Sequence, residues 1–233
     1  MPAAPAYPRG VLREVVLLAA LLALAAPAQA QTIFDYVTFD GIDYIRWFEE
    51  PGRALARSEL GTEFATVECS FAEDRQKCAY GVDASAAFIP AGTRLYAVPG
   101  FRTDFRLAAV ASNRVFLYQA WRNPRAKTGA DLFDIAGRVR AIEVQRGERT
   151  PATPGPPLQV SDAGDRDALV RMIVTAPMRK ARAPAVGEPR YWLTFWLTDG
   201  TTLGRPYFVE AGEVMGGLVV PEEFRRIVER YAP

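Results

Sequence analysis

Ile33-Phe34-Asp35-Tyr36-Val37-Thr38-Phe39-Asp40-Gly41-Ile42-Asp43-Tyr44-Ile45-Arg46-Trp47 is the stretch that decides the fold class. Two runs rich in β-branched and aromatic residues flank Asp-Gly, a strong signal for a two-residue hairpin because both turn positions require positive φ. Outward from it the same grammar repeats. Phe64–Phe71 alternates loosely, Arg94–Val98 lies between Pro90-Ala91-Gly92 and Pro99-Gly100, and Phe105–Ala111 and Val115–Ala120 flank Ser112-Asn113. Val139–Val144 closes the series. Short strands at this spacing predict a small β-barrel or sandwich over residues 31–146.

Residues 147–157 then break the pattern. Pro151, Pro154, Pro156 and Pro157 forbid a regular element and stiffen the chain, which makes this stretch the expected linker. Beyond it the period changes. Leu169, Met172, Ile173 and Ala176 fall at helical spacing after Asp165, a candidate cap, and before Pro177. Tyr191–Thr198 and Thr201–Val209 flank Asp199-Gly200 as a second hairpin, and Phe224, Ile227, Val228 and Tyr231 repeat the helical stripe. The expectation for residues 158–233 is an α-β-β-α segment. Because a two-stranded sheet is marginal alone, its strands should join another sheet or element. The fold class expected is α+β, mainly β, as one composite domain or two small ones.

The N-terminus carries a different signal. Arg9 and Arg13 precede the apolar run Val15–Ala26, then Pro27 and the small-residue site Ala28-Gln29-Ala30 follow. The run is well short of the ~20 residues that span a bilayer, so residues 1–30 read as a cleavable secretory signal peptide. The mature chain should begin at Gln31, outside the cytoplasm, with no membrane span after cleavage.

Composition excludes several chemistries. The whole chain has 28 Lys and Arg against 27 Asp and Glu, and the leader takes two Arg and one Glu with it. A neutral mature chain gives no electrostatic reason to expect nucleic acid. No histidine occurs, which removes Ser-His-Asp and Cys-His nucleophilic catalysis and the usual catalytic zinc sites. No cofactor motif is present either, and none is expected. Cys69 and Cys78, the only cysteines, stand nine positions apart around a polar centre. In an exported chain they read as a structural disulfide across a hairpin tip, since the spacing is not the Cys-x-x-Cys of redox catalysis.

A resemblance adds to this. Phe39-Asp40-Gly41-Ile42, Gly92-Thr93 through Tyr96-Ala97-Val98, and Phe105-Arg106-Leu107-Ala108-Ala109 resemble a family of uncharacterised exported bacterial proteins. The stretch Asn123 to Leu132 and the Asp199-Gly200-Thr201 turn fit the same pattern. The resemblance implies a compartment and no activity.

Four groups of residues are candidate sites. Asp43, Glu49 and Glu50 lie near Tyr44, Trp47 and Phe48, the carboxylate-and-aromatic combination of a glycosidase, or else a solvated turn. Arg102, Asp104 and Arg106 would share one face if extended, as an anion site or a surface ion-pair ladder. Arg122 to Asp131 is a long polar loop without the glycines of a phosphate loop, either functional or a plain connection. Trp192 and Trp196 share one strand face, ~13 Å apart, as a possible binding face for a sugar ring or a protein, or as core. With no nucleophile-base pair and no metal spacing, the leading expectation is a non-catalytic extracytoplasmic binding or interaction module. The alternative is a cell-envelope hydrolase working with carboxylates only.

Overall fold

The computed structural model describes residues 34–47, 51–147, 156–180 and 187–232. Residues 1–30, expected to be a signal peptide, Glu49 and Glu50, and most of the proline-rich stretch lie outside the described residues. No helix among the described residues is long and apolar enough to cross a membrane.

The opening hairpin forms as its sequence dictates. β1 (Asp35–Phe39) and β2 (Ile42–Arg46) pair with Phe39 opposite Ile42. Asp40 and Gly41 both take positive φ, 52° and 69°, the backbone twist a two-residue hairpin needs. β3 (Glu63–Thr66), β4 (Cys69–Ser70), β5 (Ser85–Ala86), β6 (Arg94–Ala97), β7 (Arg106–Ala111) and β8 (Arg114–Arg122) complete an eight-stranded sheet. Its order is β3-β6-β7-β8-β2-β1-β5-β4, and it curls into a half-barrel. Ser112 and Asn113 turn β7 into β8 with the same positive-φ pair, 48° and 61°.

A short helix α1 (Gly129–Leu132) leads into β9 (Val139–Arg146), which starts a second sheet of order β10-β9-β11-β12-β13-β14. Its other members are β10 (Leu158–Gln159), β11 (Arg190–Leu197), β12 (Thr202–Phe208), β13 (Glu213–Val214) and β14 (Leu218–Val219). Two helices, α2 (Ala163–Thr175) and α3 (Glu222–Tyr231), pack on the core through Leu169 and Ile173, and through Phe224, Ile227 and Val228.

The mainly-β class holds, and the two strands join another element as their marginal size required, while the α-β-β-α order is not confirmed. β11 uses its second edge to pair with β9, Thr194 opposite Glu143, and β13 and β14 intervene before α3. A lone hairpin would leave two unpaired edges, and β9 and β13 cover them. The cap of α2 is also shifted. Asp162 is the N-cap and accepts from the Asp165 backbone N–H at 2.8 Å, whereas Asp165 takes Arg230 and the Tyr231 hydroxyl from α3. Phe34–Pro233 forms one compact unit, and one buried cluster runs from Val37 of β1 to Phe224 of α3.

A polar seam joins the two sheets inside that unit. Gln119 of β8 donates to the Thr202 carbonyl at 2.6 Å, and Arg205 of β12 donates to the Ala120 carbonyl at 2.7 Å. Fully buried Arg106 donates to Thr201 Oγ1 at 2.8 Å and lies 3.6 Å from Asp199. Groups desolvated in this way must be hydrogen-bonded, so the seam fixes the register between sheets.

Candidate functional site

The β1–β2 register places Thr38 opposite Asp43 and Tyr36 opposite Ile45 on one face. Asp43 is fully buried there, yet it is the hub of a polar cluster that reaches the surface. It accepts from Thr38 Oγ1 at 2.8 Å, from the Tyr80 hydroxyl at 2.7 Å, and from Arg122 Nε. The Tyr80 oxygen in turn accepts from Trp121 Nε1 at 2.8 Å. Each donor and acceptor in this chain has one consistent direction, so its proton positions follow from the heavy atoms.

Two local irregularities assemble the cluster. β2 and β8 pair with Asp43 opposite Arg122 and then Tyr44 opposite Ala120, which leaves Trp121 as the extra residue of a β-bulge. A bulge re-aims its side chain, and here it turns the indole toward Tyr80. The disulfide supplies the second. Cys69 on β4 is bridged to Cys78 with Cα atoms 5.5 Å apart, and the Cys78 carbonyl accepts from the Tyr36 hydroxyl at 3.2 Å. Tyr80, two residues on, packs edge-to-face on Tyr36 with centroids 5.1 Å apart. The bridge was expected at a hairpin tip. Instead β4 runs parallel to β5, so the bridged segment is a crossover folded over the β1–β2 face.

Burial of the Tyr80 hydroxyl pushes its pKa up to about 12, with the Asp43 hydrogen bond and charge acting in the same direction. Tyr80 as a whole is nonetheless 48 % exposed. Arg122 is held above the ordinary arginine value first by its hydrogen bond to Asp43, and half of its side chain is open to solvent. The cluster therefore presents an aromatic edge and a fixed cation to water.

That edge continues as a row of rings. Phe34, 41 % exposed, lies 6.4 Å from Trp121 and 5.9 Å from Trp47 between centroids. Trp47 then meets Trp192 edge-on at 4.8 Å. Trp192 is itself covered, only 7 % exposed, and lies across Gly204, where a Cβ would come within 2.7 Å of its ring. Trp196 is half-buried with the Arg140 guanidinium 5.4 Å from its ring centre. Of the two tryptophans read as either a binding face or core, Trp192 is thus covered and Trp196 half-buried, and Trp47 and Trp121 are half-buried as well.

The other candidates separate. Arg102, Asp104 and Arg106 do not share a strand face, because the backbone turns there, with Phe105 and Arg106 N–H groups both donating to the Arg102 carbonyl. Arg102 and Asp104 pair at the surface at 3.2 Å, while Arg106 enters the seam between Phe101 and Phe105. In the loop Arg122 to Asp131, Asp131 accepts from the Lys127 and Thr128 backbone and Arg125 pairs with Asp40 at 2.8 Å. Among the described residues, three of the four buried carboxylates, Asp35, Asp43 and Glu213, are paired with an arginine: Arg46, Arg122 and Arg179. Tyr80 had no signal beyond its place two residues after a cysteine, and the bulge at Trp121 had none.

No family model, no curated protein and no solved structure matches the chain.

Proposed function

We propose that this protein is a non-catalytic extracytoplasmic binding module whose contact surface is the row Phe34, Trp47, Trp121 and Tyr80 with Arg122 beside it. The observation that carries the reading is the row itself: linked aromatic rings that reach the surface at Phe34 and Tyr80 and are tied through Tyr80 to buried Asp43. Rigid rings with a fixed polar neighbour suit the apolar face of a sugar ring, which stacks on aromatics and hydrogen-bonds at its rim. The leader-like N-terminus and the disulfide support a place outside the cytoplasm.

The hydrolase alternative draws less support. A glycosidase needs two carboxyls converging across ~5–9.5 Å, one of them ready to give up a proton. Asp43 is engaged by Thr38, Tyr80 and Arg122, and Asp35 by Arg46 and Tyr118.

Calorimetric titration with cellotetraose and chitotetraose tests the reading. At least one should bind saturably, and Trp121→Ala should weaken it tenfold or more while the protein stays folded. Binding that survives Trp121→Ala unchanged, or no binding of either sugar, would contradict it.

A further inference from the structure

A second feature lies where Trp47 leaves the aromatic row. Trp47 also lines a cleft of about 150 Å³ between the end of β2, residues 52–54, the start of β8 and the turn at Thr201. The cleft exists because residues 52–54 dock on the β11–β12 turn. Arg53 N–H donates to the Gly200 carbonyl at 3.0 Å, and Gly52 approaches Thr202 so closely that a Cβ would lie 2.8 Å from its nitrogen.

Three arginines line this small space, Arg46, Arg53 and Arg114, and no acidic residue does. The acids that hold two of them stand outside the lining. Asp35 binds Arg46 at 2.6 Å, and Glu59 grips Arg53 with both oxygens at 2.8 Å. Arg114 has no acidic partner among the described residues. Its guanidinium lies 5.6 Å from the centre of the Phe116 ring, and the Arg46 guanidinium lies 4.5 Å from the same centre. One aromatic ring thus draws two like charges to one cleft, an arrangement that a bound anion relieves.

We propose that this cleft is an oxyanion subsite, with Arg114 as its principal binding residue, for a ligand bearing a carboxylate or a phosphate. The guanidinium fork matches both groups geometrically. The volume accommodates one such group with ordered water, since a water molecule takes ~30 Å³ of liquid. Because Trp47 belongs both to the cleft and to the aromatic row, a sugar stacked on the row can extend an acidic substituent into the cleft. The ligand class narrows to acidic sugars, uronic or phosphorylated. This last step rests on the binding-module reading, whereas the subsite does not.

The test uses NMR of the whole chain at constant ionic strength, following arginine Nε–H and tryptophan indole signals. The probes are inorganic phosphate, acetate, glucuronate, glucose 6-phosphate and glucose. Phosphate should give saturable shifts that include Trp47, and Arg114→Gln, an exposed change with an unaltered melting temperature, should weaken them at least tenfold. Trp121→Ala should leave phosphate binding intact. Glucuronate or glucose 6-phosphate should bind at least tenfold more tightly than glucose, and which of the two leads identifies the oxyanion. Shifts that rise linearly and spread over many arginines, or an Arg114→Gln protein that binds like the parent, overturn the subsite. If phosphate binds through Arg114 but no sugar engages Trp121, the subsite stands and the sugar reading falls. If sugars bind through Trp121 with no gain from an acidic group, the reading stands and the link to the cleft falls.

Discussion

Asp43 organises its neighbourhood because a buried carboxylate must be matched on all sides. Thr38, Tyr80 and Arg122 supply the match. Asp43→Asn keeps the shape but removes the charge and turns an acceptor into a donor beside Tyr80 or Arg122. It should cost about 1–3 kcal/mol in urea unfolding, the range for stranding a buried polar partner. Tyr80 adds a pH signature. Its folded pKa of about 12 exceeds the ordinary 10.0, so the fold favours the protonated phenol. That stabilisation is complete below pH 10 and is lost as pH rises through 12. Tyr80→Phe should flatten this part of the alkaline unfolding profile. Tyr207, raised also to about 12 by burial, and Tyr36, Tyr44, Tyr118 and Tyr191, raised by burial too, keep a residual slope. Asp43 was legible in the sequence as a carboxylate among aromatics. Its partners were not, because Tyr80 arrives from 37 positions away through a crossover and Arg122 through a bulge.

Turn chemistry carried most of what the sequence revealed about elements. Asp40-Gly41 and Ser112-Asn113 are visible because only certain residues tolerate positive φ, and both hairpins form where those residues stand. Strand partnership between distant segments has no such local marker. The pairing of β9 with β11, and the parallel run of β4 beside β5, depend on which edges remain open once the rest has folded. The disulfide is an element-scale device with a local consequence. Without reductant, neither Cys69 nor Cys78 should accept a thiol label. The double change Cys69→Ser and Cys78→Ser should cost roughly 2.5–3 kcal/mol in the chain-entropy account. It should also raise acrylamide quenching of Trp121, since the loop that holds Tyr80 over it is no longer tethered. Quenching identical to the parent would show that the crossover keeps its place without the bridge.

At the scale of the molecule, one core spans the segments on both sides of the proline-rich stretch, and the polar seam of Arg106, Gln119 and Arg205 sets how the sheets meet. Trp192 belongs to that packed body, being covered by Trp47 and seated on Gly204. Trp192→Ala should therefore cost about 3–5 kcal/mol, as for a large core aromatic. The strand pattern Trp192-x-x-x-Trp196 could not reveal this, because alternation shows which residues share a face and not what lies over it. If Trp47 and Trp121 meet the ligand, their indole N–H signals move during titration with cellotetraose or chitotetraose. Saturable shifts are expected at Trp47 and Trp121 with Trp196 unmoved. Shifts confined to Trp196, or no indole shift while either sugar is shown to bind, would contradict that contact.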